Sequence, residues 1–141
     1  MQVDQIEMGT VIDHIKAGNA ARVMRLLGIG EDYPHRVAIV LHVPSKKMKT
    51  KDILKIEGKT VSEETANLIA LVSPGASINI VKKGKIEKKF TVALPKEVAG
   101  LAKCPNPNCI STDAKTRFSR EDGGRFRCHF CERLFRAEEL V

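Results

Sequence analysis

The residues most able to do chemistry lie at the two ends of the chain. All four cysteines fall in the last 38 residues: Cys104 and Cys109 with four residues between them in CPNPNC, Cys128 and Cys131 with two between them in CHFC, and eighteen residues between the pairs. Two closely spaced pairs let two tight loops present their thiolates to one ion, and tetrahedral Zn²⁺ accepts four sulfurs at ~2.3 Å with no position left open for substrate. Count and spacing favour a structural zinc over an iron or iron–sulfur centre. A redox dithiol at CHFC would leave the first pair unexplained. His129, between two of the ligands, reads as a surface or hydrogen-bonding residue rather than a fifth donor. Four thiolates and one dication lower the formal charge from +7 to +5, and Arg117, Arg125, Arg127 and Arg133 stand close enough in sequence to offset the local negative charge.

Near the N-terminus an apolar run, GTVIDHI, ends in an acid and an imidazole, Asp13 and His14. Catalysis by this pair lacks a partner, because the first part of the chain has no cysteine and no motif that activates a serine. Binding is the easier role: a carboxylate and an imidazole recognise ribose hydroxyls and a base edge while ammonium groups take phosphates. Lysines are plentiful, with six in residues 46–59 and five in 82–89, and no arginine in either stretch. Most read as a solvated surface. Lys55 and Lys89 differ, since each lies within a strand-like pattern that would aim a fixed ammonium.

These side chains need a scaffold. A chain of 141 residues, 43% hydrophobic, suffices for one medium or two small domains, and a unit of about 40 residues needs a metal or disulfide to hold it together. Clustered cysteines favour metal in a cytoplasmic chain. No leader pattern and no long apolar run is present, so a soluble protein without a membrane partner is expected. The surplus of Lys and Arg, 24 against 17 acids, attracts phosphate-bearing partners. Aromatic content of 4% without Trp leaves few platforms for stacking bases, which disfavours nucleic acid. A nucleic-acid-binding zinc ribbon remains the alternative reading, and its affinity would fall steeply with salt.

The periodicity predicts strand, helix, strand, strand, helix, strand, and one further strand. Thr10 to His14 is strand-like; Asn19 caps a helix whose Val23, Leu26 and Leu27 share a face. In HRVAIVLHVP, Val37, Ile39, Leu41 and Val43 alternate onto one face and Pro44 ends the ladder. KDILKIEG is the third strand, and Ser62 caps a second helix that buries Leu68, Ile69 and Val72. ASINIVKK and GKIEKKFTV form strands joined at Gly84. This order is that of the α+β ferredoxin-like split βαβ arrangement, an antiparallel sheet with both helices on one face. LPKEVAGLAK, residues 94–103, reads as a connection with a helical turn, leading from a domain at 1–95 to a small β-rich zinc-binding domain at 96–141.

With GTVIDHI, KDILKIE, SINIVKKGKIEKK and CPNPNCIS followed by CxxC in this order, the chain resembles the regulatory chain of aspartate carbamoyltransferase over nearly its whole length. The resemblance implies a non-catalytic subunit in pyrimidine biosynthesis with no catalytic residue of its own. It implies an N-terminal allosteric domain that binds CTP, ATP and often UTP, and a zinc domain that docks on catalytic chains. Regulatory chains would pair as homodimers through sheet edges, in an assembly with two catalytic trimers. Asp13 and His14 match positions that contact ribose and phosphates, Lys55 and Lys89 match two important lysines of the family, and Val3, Asp4, Gln5 and Ile6 match a segment whose backbone reads the base. Val11, Asn79, Val81 and Ile86 align with other pocket positions. Gly84 stands where a larger residue can line the pocket, and KKGKIEKK is more basic than one triphosphate requires.

Overall fold

The computed structural model describes residues 7–100, 102–113 and 115–141. The first unit runs β1 (Gly9–Lys16), α1 (Ala20–Leu26), β2 (Val37–Ser45), β3 (Lys49–Glu57), α2 (Glu63–Val72), β4 (Ser77–Lys82) and β5 (Lys85–Thr91). Its five strands form an antiparallel sheet in the order β2-β3-β1-β4-β5, the split βαβ arrangement with β5 added at one edge. Alternation along each strand divides the side chains between two faces. Ile12, Leu54 and Ile78 are directly opposed across β1, β3 and β4 and fully buried. They pack with Val23 of α1, Leu27 at its C-cap, and Ala66, Ile69, Ala70 and Val72 of α2, so both helices cover this one face.

Three local expectations are corrected by tertiary structure. Pro44 does not end the ladder: it pairs with Thr50 inside β2, and it is tolerated because β2 is an edge strand, where a missing N–H has no neighbour to bond. The alternation of β2 is broken by a bulge between Val40 and Val43, with His42 at φ 58, and Ile39 and Leu41 are 41% and 54% exposed. Asn19 occupies the N-cap of α1 without a side-chain cap bond; its Nδ2 donates instead to the Val72 carbonyl at 2.8 Å. The cap is supplied from a distance by Asp52. This fully buried carboxylate accepts from the N–H of Gly18 at 2.9 Å and of Ala20 at 3.2 Å through Oδ2, and from His42 N–H at 3.0 Å through Oδ1. Three backbone donors compensate its desolvation. The cap of α2 is local, Ser62 Oγ accepting from Thr65 N–H at 3.2 Å.

The second unit is a four-stranded antiparallel sheet of β6 (Glu97–Ala99), β7 (Arg117–Arg120), β8 (Arg125–Cys128) and β9 (Leu134–Arg136). Residues 97–99, expected as part of a connection, are thus its first strand: Val98 pairs with Phe118 and is buried. The hydrophobic surface recovered by Val98 outweighs any local tendency of this segment to coil. Phe118 and Phe126 are fully buried at the centre of this unit. Leu68 and Leu71 of α2 join the same cluster, because residues three apart share a helix side. Helix α2 therefore serves two cores. Arg22 of α1 adds a polar tie, donating from Nη2 to the Glu138 carbonyl at 2.9 Å.

Candidate functional site

Two groupings of polar side chains stand out, one in each unit. In the second, the Sγ atoms of Cys104, Cys109, Cys128 and Cys131 all lie within 4.8 Å of one another. Cys104 and Cys131 approach to 3.7 Å, as do Cys109 and Cys128. A disulfide needs about 2.05 Å, so these are not bridges. An ion at ~2.3 Å from four tetrahedral sulfurs requires S···S edges of about 3.8 Å, and the four cysteines fit that shape.

The loops treat the sulfurs differently. Ser111 Oγ lies 2.9 Å from Cys109 Sγ, and its hydrogen bonds bring that thiol down to about 7. Phe130 N–H donates to Cys128 Sγ at 3.4 Å. Burial, set against a hydrogen bond from the Asn106 backbone, pushes Cys104 up to about 12, and hydrogen bonding with the three other cysteines adds to the rise. Thiols so crowded can all be anionic only beside a cation. The arginines, by contrast, do less here than their sequence positions suggest: Arg117 pairs with Glu97 at 3.1 Å and Arg127 with Glu121. His129 is exposed, with its Nε2 hydrogen-bonded to Ser119 Oγ. Ser111 was not singled out by sequence, and a serine two residues after a cysteine carries no distinguishing signal.

The second grouping occupies the sheet face turned away from the helices. Strand register puts Lys55 opposite Val11, Val11 opposite Asn79 and Asn79 opposite Lys89, one row across β3, β1, β4 and β5. At ~4.8 Å per strand, the two lysine backbones stand about 14 Å apart. Asn79 is buried and its Nδ2 donates to the Val11 carbonyl at 3.2 Å. Among the described residues, neither Lys55 nor Lys89 forms an ion pair. Val81 opposes Ile86 on the same face; Val81 is buried and Ile86 is 60% exposed. Lys88 points the other way, its ammonium 5.4 Å from the centre of the Phe90 ring, so alternation separates two adjacent lysines.

Asp13 follows on that face, opposite Ser77. A bulge between Ile12 and Ile15 carries His14 at φ 57, where a non-glycine residue is re-aimed out of the regular pleat. His14 Nδ1 lies 3.3 Å from Ser77 Oγ and 3.9 Å from Asp13 Oδ2. Asp13 accepts from His14 N–H at 2.6 Å and from the Lys51 ammonium, which lies 2.9 Å from Oδ1 and 3.2 Å from Oδ2. Burial alone would raise the Asp13 carboxyl; the Lys51 hydrogen bond, the His14 N–H and their charges outweigh it and hold the group below its ordinary value. Lys51 is not a solvated surface lysine: its side chain is 16% exposed and paired with Asp13. Its signal was present, since Lys51, Ile53 and Lys55 share one face of β3 by alternation. Val3, Asp4, Gln5 and Ile6 lie outside the described residues.

The arrangement offers one sheet face with ammonium groups on β3 and on the edge strand β5, an amide and a carboxylate–imidazole pair on the strands between them, and a separate tetrathiolate centre. Among the described residues no helix is long and apolar enough to cross a membrane. Two family models match the chain: the aspartate carbamoyltransferase regulatory chain allosteric domain over residues 1–93 and its metal binding domain over residues 96–141. Curated relatives carrying the name aspartate carbamoyltransferase regulatory chain include one from Methanococcus maripaludis, 49% identical across 95% of this chain and 92% of its own. Another, from Thermococcus gammatolerans, is 44% identical across 100% of this chain and 96% of its own. A third, from Methanopyrus kandleri, is 44% identical across 99% and 93%.

Proposed function

The chain belongs to the aspartate carbamoyltransferase regulatory-chain family, and from that premise we propose that it binds nucleoside triphosphate effectors, CTP and ATP and also UTP, on the outer face of its first sheet. It is a non-catalytic, regulatory chain with an allosteric and a metal-binding domain, and we assign residues 1–95 to the first and 96–141 to the second. The single observation that carries the reading is the row Lys55, Val11, Asn79, Lys89 with Asp13 and His14 beside it. Lys55 and Lys89 take phosphate oxygens from opposite sides. Asp13, held ionised by Lys51, and His14 take the ribose hydroxyls, while Val81 and Ile86 supply apolar contact. Val3, Asp4, Gln5 and Ile6 complete the site by reading the base.

Zn²⁺ is the ion assigned to Cys104, Cys109, Cys128 and Cys131: soft thiolates, four-fold coordination and no open position select it as a structural metal. It holds a unit too small to fold on its core alone. That unit docks on the catalytic chains, and regulatory chains pair as homodimers in the cytoplasm.

Effector binding alters the catalytic chains only if the nucleotide prefers one quaternary state, and coupling of about 1–3 kcal/mol is typical. Helix α2 is the conduit between the units, because Ile69 packs into the sheet core while Leu68 and Leu71 pack into the second unit. Calorimetry of the purified chain with CTP and with ATP tests the site. Saturable binding of one nucleotide per chain, lost on Lys89→Ala, is expected. Unchanged binding in that variant removes the site assignment, and preference for a polynucleotide in a gel-shift titration favours the nucleic-acid reading instead.

A further inference from the structure

A cleft of about 380 Å³ opens between the two units, on the helix side of the first sheet and therefore away from the row of Lys55 and Lys89. Its apolar walls come from both units: Leu71 and Val72 at the end of α2, Leu94 in the connection, and Ala137 after β9. Clefts of this size with apolar walls and a few polar groups, placed at domain boundaries, are where small ligands bind. Lys16 and Arg125, one from each unit, also line it. Both are exposed, and among the described residues neither forms an ion pair. Arg136 and Glu138 lie there too, 3.6 Å apart, and Arg136 also pairs with Glu139 at 3.1 Å.

Two carbonyls in the last turn of α2 are already used. The Val72 carbonyl, at the negative end of α2, takes the Asn19 amide at 2.8 Å, and the Ile69 carbonyl takes Ser73 N–H at 2.9 Å. The side chains lining the cleft include three cations, Lys16, Arg125 and Arg136, and one anion, Glu138, so the lining is net positive. We propose that this cleft is a second ligand site, for a small amphipathic anion whose apolar body lies against Leu71, Val72 and Leu94 and whose carboxylate or sulfonate lies between Lys16 and Arg125. Because the walls belong to both units, an occupant ties them together, and the site is independent of the nucleotide face.

Anilinonaphthalene sulfonate, an apolar body with one anionic group, is the probe, titrated by fluorescence into the full chain. Expected are one saturable site per chain, unaffected by saturating CTP, affinity lowered about tenfold or more by Arg125→Glu, as loss of a charged contact implies, and no binding to Leu94→Trp, whose indole fills the cleft. Metal content and thermal melting confirm that each variant is folded; should Leu94→Trp misfold, Arg125→Glu and Lys16→Glu decide. Absence of a saturable site, affinity unchanged in both charge variants, or displacement by CTP overturns the proposal. Displacement of the probe by added catalytic chain also overturns it, by assigning the cleft to a protein interface.

Discussion

The Lys51 ammonium sits 2.9 Å from Oδ1 of Asp13, joining β3 to β1 across the face turned from the helices. The pair is neither exposed nor fully buried, with side-chain exposures of 16% and 28%. Such a pair loses less to solvent screening than a surface ion pair. Lys51→Met leaves the part-buried Asp13 charge with the His14 N–H as its remaining backbone donor, and a loss of about 1–2 kcal/mol in stability is expected. Urea denaturation measures it, and a loss below about 0.3 kcal/mol would show that water satisfies Asp13 as well as Lys51 does.

The same pair sets a pH dependence. Because folding lowers the Asp13 pKa, its contribution is fully present above the ordinary value of 3.8 and is lost as pH falls through the depressed folded value. The stability difference between the parent chain and Lys51→Met should hold constant from neutrality down to about pH 5 and shrink below 3.8. A difference that grows on acidification contradicts this linkage.

Metal removal should act on the second unit first. A mercurial or strong chelator that strips Cys104, Cys109, Cys128 and Cys131 removes about 10 kcal/mol or more of folding free energy from this unit. Protection of Phe118 and Phe126 amides from hydrogen exchange should collapse while Ile12 and Ile78 stay protected. Ser111→Ala, which deletes the hydroxyl 2.9 Å from Cys109 Sγ, should weaken metal affinity about 10–100-fold. Competition with a chromophoric chelator reads this directly, and equal affinities would reduce Ser111 to a bystander.

Leu71 is 2% exposed in the cluster shared by α2 and the second unit. Leu71→Ala should cost about 2–4 kcal/mol by lost transfer and residual cavity. If α2 carries the coupling, effectors still bind this variant with the parent affinity in the isolated chain, yet shift the substrate curve of the reconstituted enzyme less. An undiminished shift of the substrate curve in this variant would place the conduit elsewhere.

Much of the candidate site was legible in the sequence because its residues lie in short-range patterns. The spacing of CPNPNC and CHFC brings thiolates together through loops that close locally, and the distance between the pairs matters little. The apolar periodicity of β1, β3 and α2 follows from burial on one side only, which also put Lys55 and Lys89 on strands. The bulges in β1 and β2, which break that periodicity, were not legible. In the β2 bulge the His42 N–H donates to Asp52, whose carboxylate also reaches Gly18 and Ala20, and no local rule announces such a bond.

By itself, then, the sequence determined the element order, the two-part organisation and the sulfur centre, since each rests on contacts between near neighbours or on the composition of one segment. Only the tertiary structure decided that Lys55, Val11, Asn79 and Lys89 fall into one row, that Lys51 holds Asp13, and that residues 97–99 join the second sheet. Strand register and packing partners are set by which distant apolar faces bury together, and that is a property of the folded whole rather than of any stretch of it.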